Sequence, residues 1–396
     1  MVQIRRIIER RATRIVQERG SDHDWSPLQR GHYAQAIFDQ AHRYGRLQQF
    51  LREDDVEEIS IVGHDNVIVT KGSGKKERRP AVACTDDELE QTIAEMASYR
   101  DRTFARPAGD IDLDIGGARI SATGRGKTSV TNLSIRKHNH VDITLSDMVA
   151  NRTTSAAVAD FLTAASRANC CVFVAGFPGT GKTTLVRALT STIPPEEKIV
   201  TIETEHELYL NKLPHRHWQV MDLQYVPSQA AGADSAGGFT LQACLDKALR
   251  AGSERIIFAE IKSIEGPIAM KAMQAGKGSM STIHARSADD AIHRFADVLM
   301  GELGLSDDTV PLRQILRSID VIVYVDIIPN PDGTRRRVIT EVTEVRPTDK
   351  GEPMAAQLFR YDPATDDYLT PEVPTTQLNE RLLRVGYDFS RRGRHV

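Results

Sequence analysis

The sequence predicts an α/β protein: a parallel sheet covered by helices on both faces, preceded by a smaller α+β domain. Three observations predict it. From residue 170 onward short apolar runs alternate with helical patterns, as strand–helix–strand units do. One such run, Cys170-Cys171-Val172-Phe173-Val174-Ala175, leads straight into a glycine-rich turn and a second helical pattern. Between about 56 and 136 the texture is different, with brief β-branched runs broken by Gly and Asp turns.

Length and composition set the frame. At ~150 residues per domain, 396 residues give two or three domains. Lys and Arg number 51 against 54 Asp and Glu, a net charge of −3, and aromatics make up 6%. That balance argues against a nucleic-acid-coating protein and against an aromatic platform for single strands. Cys84, Cys170, Cys171 and Cys244 form no C-x-x-C pair, which argues against a zinc site or a disulfide scaffold and for thiols in a reducing compartment. No stretch approaches the ~18 uninterrupted apolar residues of a membrane-spanning helix, and the N-terminus lacks an apolar signal core, so any membrane contact is expected to be peripheral.

The elements follow in order. Residues 1–52 read as a helical N-terminal extension. Residues 1–19 hold six arginines against two glutamates, a net +4, with Ile4, Ile7, Ile8 and Ile15 near one helical face. Such a helix either packs on its own protein or docks on a partner or an anionic surface. A second helix, about 28–53, starts at Ser26-Pro27. Residues 53–142 read as the α+β domain, with strands at 58–62, 66–69, 111–115, 119–122 and 130–136. Residues 71–79 read as a polar loop, and Thr85-Asp86-Asp87-Glu88 opens a helix to about Tyr99. Residues 143–350 carry the parallel-sheet pattern, with strands at 198–203, 218–223, 255–259, 278–283 and 321–325. Runs at 321–328 and 336–345 flank Asn330-Pro331-Asp332-Gly333, a hairpin turn. Residues 351–396 read as a polar, less regular C-terminal tail ending in the mobile basic run Arg391-Arg392-Gly393-Arg394.

The glycine-rich turn is Gly176-Phe177-Pro178-Gly179-Thr180-Gly181-Lys182-Thr183-Thr184, which fits G-x-x-x-x-G-K-[ST] with a strand before it and a helix after it. In such a loop glycines let backbone N–H groups turn toward phosphate oxygens, and the helix N-terminus adds a positive dipole end. Lys182 is then placed for the β- and γ-phosphates and the Thr183 hydroxyl for Mg²⁺. A guanine reader of the N-K-x-D kind is missing, since Asn211-Lys212-Leu213-Pro214 lacks its Asp; ATP is the expected nucleotide. Parallel sheets bind ligands at the carboxyl ends of their strands. Three features fall there: Glu203 to Glu207, with Glu205 between them; Glu260 at the end of Arg255-Ile256-Ile257-Phe258-Ala259; and His284 after Ser281-Thr282-Ile283. A carboxylate there can position or deprotonate an attacking water, and His284 can sense the γ-phosphate.

With those motifs in order, the chain resembles the type II and type IV secretion system ATPases, in particular the tight-adherence pilus and VirB11-like branch. That family follows its Walker A loop with an "Asp box", a Walker B strand and a "His box", matched here by 176–183, 201–208, 256–260 and 276–285. Further landmarks are Val56-Glu57-Glu58-Ile59, Leu133-Ser134-Ile135-Arg136-Lys137 and Leu245-Asp246-Lys247-Ala248-Leu249-Arg250, so the resemblance spans about 50–345. It implies a RecA-like P-loop ATPase domain behind an α+β domain, Mg²⁺-dependent ATP hydrolysis and a homo-hexameric ring. It also implies a cytoplasmic location at the inner face of the membrane and docking to an inner-membrane platform protein. It assigns Glu207 to the attacking water, with Glu203, Glu260 and His284 beside it, and Arg119 and Arg136 to the phosphates. The chain departs from the family at Thr204, Ala259, Gly252, Asp114 and Ile261-Lys262. Two other readings share the same core. One is a RecA-like nucleic-acid translocase, for which Lys212, His215, Arg216, His217 and Trp218 form a candidate pore loop. The other is an ATP-binding regulatory subunit of slow turnover, suggested by the departures.

Overall fold

The computed structural model describes residues 44–115, 117–138, 141–226, 238–330 and 332–392, together with Arg14 and His32. The first expected helix, the second up to residue 43, and the end of the basic run at 391–394 lie outside the described residues; over 44–53 the expected second helix is instead a 3-10 turn, Gly45–Leu47, and a single short helix. The chain divides into two compact units, 1–139 and 140–396.

In the first unit the short helix α1 (Gln48–Leu51) precedes an antiparallel six-stranded sheet. Its strands are β1 (Val56–Val62), β2 (Val67–Lys71), β3 (Lys76–Arg79), β4 (Asp110–Ile115), β5 (Ala118–Thr123) and β6 (Asn132–Lys137), in the order β3-β2-β1-β6-β5-β4. Residues 76–79, read from sequence as loop, thus form the edge strand β3. Their charged side chains carry no apolar alternation, and it is backbone pairing of Val67 with Arg79 and Val69 with Glu77 that recruits them. Helix α2 (Asp86–Ser98) starts where the sequence predicts: the Thr85 hydroxyl accepts a hydrogen bond from the Glu88 amide at 3.2 Å. Its Leu89, Ile93 and Met96 are buried with Ile59, Ile61, Val69, Leu113, Ile120, Leu133 and Ile135. Alternation along the strands turns the other residues to the opposite face.

The second unit is built on a nine-stranded sheet of order β15-β14-β13-β12-β7-β11-β10-β8-β9. Its parallel part comprises β7 (Val172–Ala175), β8 (Lys198–Glu203), β9 (Gln219–Gln224), β10 (Arg255–Ile261), β11 (Met280–Ile283) and β12 (Val321–Pro329). Both faces are covered: Val172 and Val174 lie in one buried cluster, Phe173 and Ala175 in the other. This two-sided burial is why β7 reads as a continuous apolar run. Strand β13 (Arg335–Pro347) returns antiparallel to β12 across the predicted turn.

Residues after 351 are not an irregular tail. They form β14 (Pro353–Asp362), β15 (Asp367–Leu369) and a helix, Thr376–Arg384, and they put Leu358, Phe359, Leu378, Leu382 and Phe389 into the cluster that holds Val172. Arg381 of that helix pairs with Asp320 and donates to the Asn169 carbonyl at 2.8 Å. The sequence hides this because burial along β14 breaks the period of two, with Leu358 and Phe359 adjacent and both buried.

Candidate nucleotide site

Strand β7 ends at the glycine-rich turn, and helix α3 (Leu145–Ala150) and helix α4 (Ala156–Arg167) precede it in the chain. Helix α5 (Lys182–Thr190) follows, with Gly181 as its N-cap in the left-handed region at φ +94°. A side chain at Gly176 would put its Cβ 2.4 Å from the Val325 carbonyl oxygen, so the turn needs glycine there to pass under β12. Three donors converge on one point inside the turn, the Phe177 carbonyl: the Thr180 amide at 3.3 Å, the Thr180 hydroxyl at 2.8 Å and Lys182 Nζ at 3.1 Å. A loop that gathers an amide, a hydroxyl and an ammonium at a helix N-terminus fits a phosphate oxygen. Arg337 of β13 closes its outer side by donating from Nε to the Gly179 carbonyl at 3.1 Å. Thr184 lies half-buried in the first turn of α5.

The acids after β8 divide into two kinds. Glu203 is 1% exposed. Its Oε1 accepts from the Thr201 hydroxyl at 3.0 Å, and its Oε2 accepts from the amides of Glu207 and Leu208 at 2.7 and 2.9 Å. Both oxygens are thus engaged in holding the chain. Glu207 is half-buried, and its Oε2 accepts from the Thr183 hydroxyl at 3.0 Å. A hydroxyl and a carboxylate so placed are hard oxygen donors, which fits Mg²⁺ beside the phosphates.

Glu260 and His284 meet. Glu260 Oε1 lies 2.6 Å from His284 Nε2, and Oε2 lies 2.9 Å from Lys262 Nζ. Burial pushes the Glu260 carboxyl up, but the hydrogen bonds and charges of His284 and Lys262 outweigh it and bring it down to about 2. An ionised carboxylate only accepts, so His284 Nε2 carries the proton facing it. Lys182 Nζ lies 3.0 Å from the other ring nitrogen, Nδ1. His284 thus bridges Lys182 at Nδ1 and the Glu260 carboxylate at Nε2.

Arg119 and Arg136 belong to the first unit and are described there. They are cross-strand partners in β5 and β6, on the sheet face away from α2. In register Glu58 stands beside Arg136 and Asp114 beside Arg119, so a row of four charges crosses β1, β6, β5 and β4. Like charges directly opposite each other destabilise a sheet. The loop proposed from sequence for nucleic acid has its cations engaged: Lys212 Nζ lies 3.8 Å from the centre of the Tyr209 ring, His215 and Arg216 pair with Asp142, and His217 is buried.

Sequence reading passed over Arg187 and Arg337. Arg187 is buried in α5 and donates from Nη2 to the Glu207 carbonyl. Its one signal is a charge inside the apolar run Leu185-Val186-Arg187-Ala188-Leu189. Arg337 had only the run Arg335-Arg336-Arg337 after the hairpin turn.

A glycine-rich phosphate loop at the carboxyl edge of a doubly covered parallel sheet, with an acid on its threonine, defines a RecA-like P-loop protein. The particular family follows from comparison. The model of the type II/IV secretion system protein family matches residues 120–356, and the chain belongs to that family. It is 29% identical over 258 residues to the uncharacterized protein MJ0900 of Methanocaldococcus jannaschii, covering 63% of this chain and 44% of that one. It is 37% identical over 185 residues to the type IV secretion system protein PtlH of Bordetella pertussis, covering 46% of this chain and 52% of that one. The chain thus spans about half the length of these curated relatives. The fold is also that of the Legionella pneumophila ATPase DotB, with a TM-score of 0.54 at 16% identity over 90% of this chain and 85% of DotB. No helix among the described residues is long and apolar enough to cross a membrane.

Proposed function

We propose that the chain is a Mg²⁺-dependent ATPase, working as a homo-hexameric ring motor of a type II or type IV secretion or pilus-assembly machine. The placement is at the cytoplasmic face of the inner membrane, on an inner-membrane platform protein. The observation that carries the reading is the 3.0 Å contact between the Thr183 hydroxyl of the phosphate loop and the Glu207 carboxylate. It supports a site where a metal-liganding hydroxyl and a water-directing carboxylate adjoin.

Gly176, Gly179, Thr180 and Gly181 shape the phosphate cradle, and Lys182 supplies its charge. Thr183 would hold Mg²⁺, whose charge would offset that of the phosphates. Glu207 orients the attacking water and accepts its proton. Glu203 positions Glu207 through two amides and does not itself face the reacting atoms. Glu260, held ionised near pKa 2, is too weak a base to take a proton at neutral pH; it orients His284. His284 reports the state of Lys182, to which it is hydrogen-bonded. Arg119 and Arg136 supply positive charge to the phosphates, a use that accounts for two arginines facing each other across β5 and β6. The N-terminal segment with its net +4 supplies the docking surface.

Two variants test the reading. Lys182→Ala should lose ATP binding. Glu207→Gln should bind ATP normally while turnover falls by about 10²-fold or more. Turnover of Glu207→Gln at the unmodified rate would overturn the assignment of the water-directing acid. Strong stimulation by DNA, with none from lipid or membrane-protein partners, would favour a nucleic-acid translocase.

A further inference from the structure

Arg187 lies in the middle of α5, 4% exposed, among Leu185, Val186, Ala188 and Leu189. A guanidinium buried there is costly unless it is used. It stands four residues after Thr183, so the two share one face of the helix. Both reach the same residue 20 and 24 positions further along the chain. Thr183 donates to the Glu207 carboxylate at 3.0 Å, and Arg187 donates to the Glu207 carbonyl. The Glu207 amide is held from the other side by Glu203 at 2.7 Å. The guanidinium carbon lies 5.9 Å from the centre of the Tyr209 ring, a cation–π distance, and Tyr209 itself takes the left-handed conformation at φ +52°.

We propose that Arg187 is a positioning residue for the hydrolytic step, fixing the Glu207 carboxylate through the Glu207 backbone carbonyl. With its amide and its carbonyl both pinned, Glu207 has only its side-chain torsions left, and these are set by Thr183. The helix that carries Lys182 and Thr183 and the loop that carries Glu207 then move as one piece. Arg187 does this without touching nucleotide. Its removal therefore loosens the acid and leaves the phosphate cradle in place. A displacement of about 1 Å in a catalytic group can cost about 10²-fold in rate.

This rests on the reading that Glu207 acts on the attacking water, and the experiment separates the two. A double-mutant cycle combines Arg187→Lys with Glu207→Gln in the full chain, reading turnover by phosphate release and affinity by titration with a fluorescent ATP analogue. Arg187→Lys alone is expected to lower turnover by about 10²-fold with the dissociation constant changed less than about 3-fold. In the Glu207→Gln background the same change is expected to cost nothing further, because residues that act as a unit are non-additive. Full additivity, or a loss of affinity equal to the loss of turnover, would overturn the proposal. Wild-type turnover by Glu207→Gln alone would instead overturn the underlying reading. The cycle repeated with Tyr209→Leu removes the ring beside the guanidinium and keeps the buried charge. Coupling to Glu207→Gln supports the proposal there too, and additivity in that cycle counts against it even if Arg187→Lys fails to fold.

Discussion

At the scale of single residues, the site is a set of side chains whose chemistry is fixed by their partners. Glu260 shows this most clearly. A glutamate has an ordinary value of 4.5, and this one is brought to about 2 by His284 and Lys262 against the opposing effect of burial. The sign is that of a depressed acid: the stabilisation from its ionised form is complete above about 4.5 and is lost as pH falls through about 2. A ¹³C-carboxyl NMR titration should therefore show no Glu260 transition between pH 4.5 and 8; a midpoint inside that window would contradict the ion-paired geometry. Glu203 and Glu207 differ for the same kind of reason. Sequence offered both as acids at one strand end, and burial decides that the first is spent on two amides while the second keeps its carboxylate at the Thr183 hydroxyl.

At the scale of elements, most strands and helices follow from patterns that span only a few residues. The capped start of α2 at Thr85, the continuous apolar run of β7 and the hairpin between β12 and β13 were all legible. Neither β3, at its sheet's edge, nor β14, between β13 and β15, was. β3 carries charges on every residue, and β14 alternates only weakly, so neither gives a period-2 signal of its own. β14 nonetheless matters to the core: Leu358 is fully buried. Leu358→Ala should cost about 2–5 kcal/mol in chemical denaturation, as large-to-small changes in a core do. A chain ended at Gly351 should fail to fold as a soluble monodisperse species in size-exclusion chromatography. Unchanged stability in both would return the segment to the status of a tail.

At the scale of the whole molecule, the first unit carries a row of charges across its sheet and the second carries the phosphate loop. Arg119 and Arg136 stand opposite each other in register, with Glu58 and Asp114 flanking them. If their charge serves the phosphates of a ring, Arg136→Ala should lower turnover by about 10-fold or more while light scattering with a non-hydrolysable analogue still shows a hexamer. Unaltered turnover would remove these arginines from the site, and a monomer under those conditions would remove the ring. The sequence by itself determined the phosphate loop, the order of the four boxes and the kind of most elements, because each is written in residues that are near neighbours in the chain. Only tertiary structure decided how they act together. Lys182 meets His284 across 102 residues, Thr183 meets Glu207 across 24, and Arg187 grips the Glu207 carbonyl across 20. Such contacts depend on strand register and on which face of α5 meets the sheet, and no local pattern encodes either. The same cause hid β14 and Arg187: a residue's neighbours in space, rather than in sequence, set its burial, its hydrogen bonds and its charge.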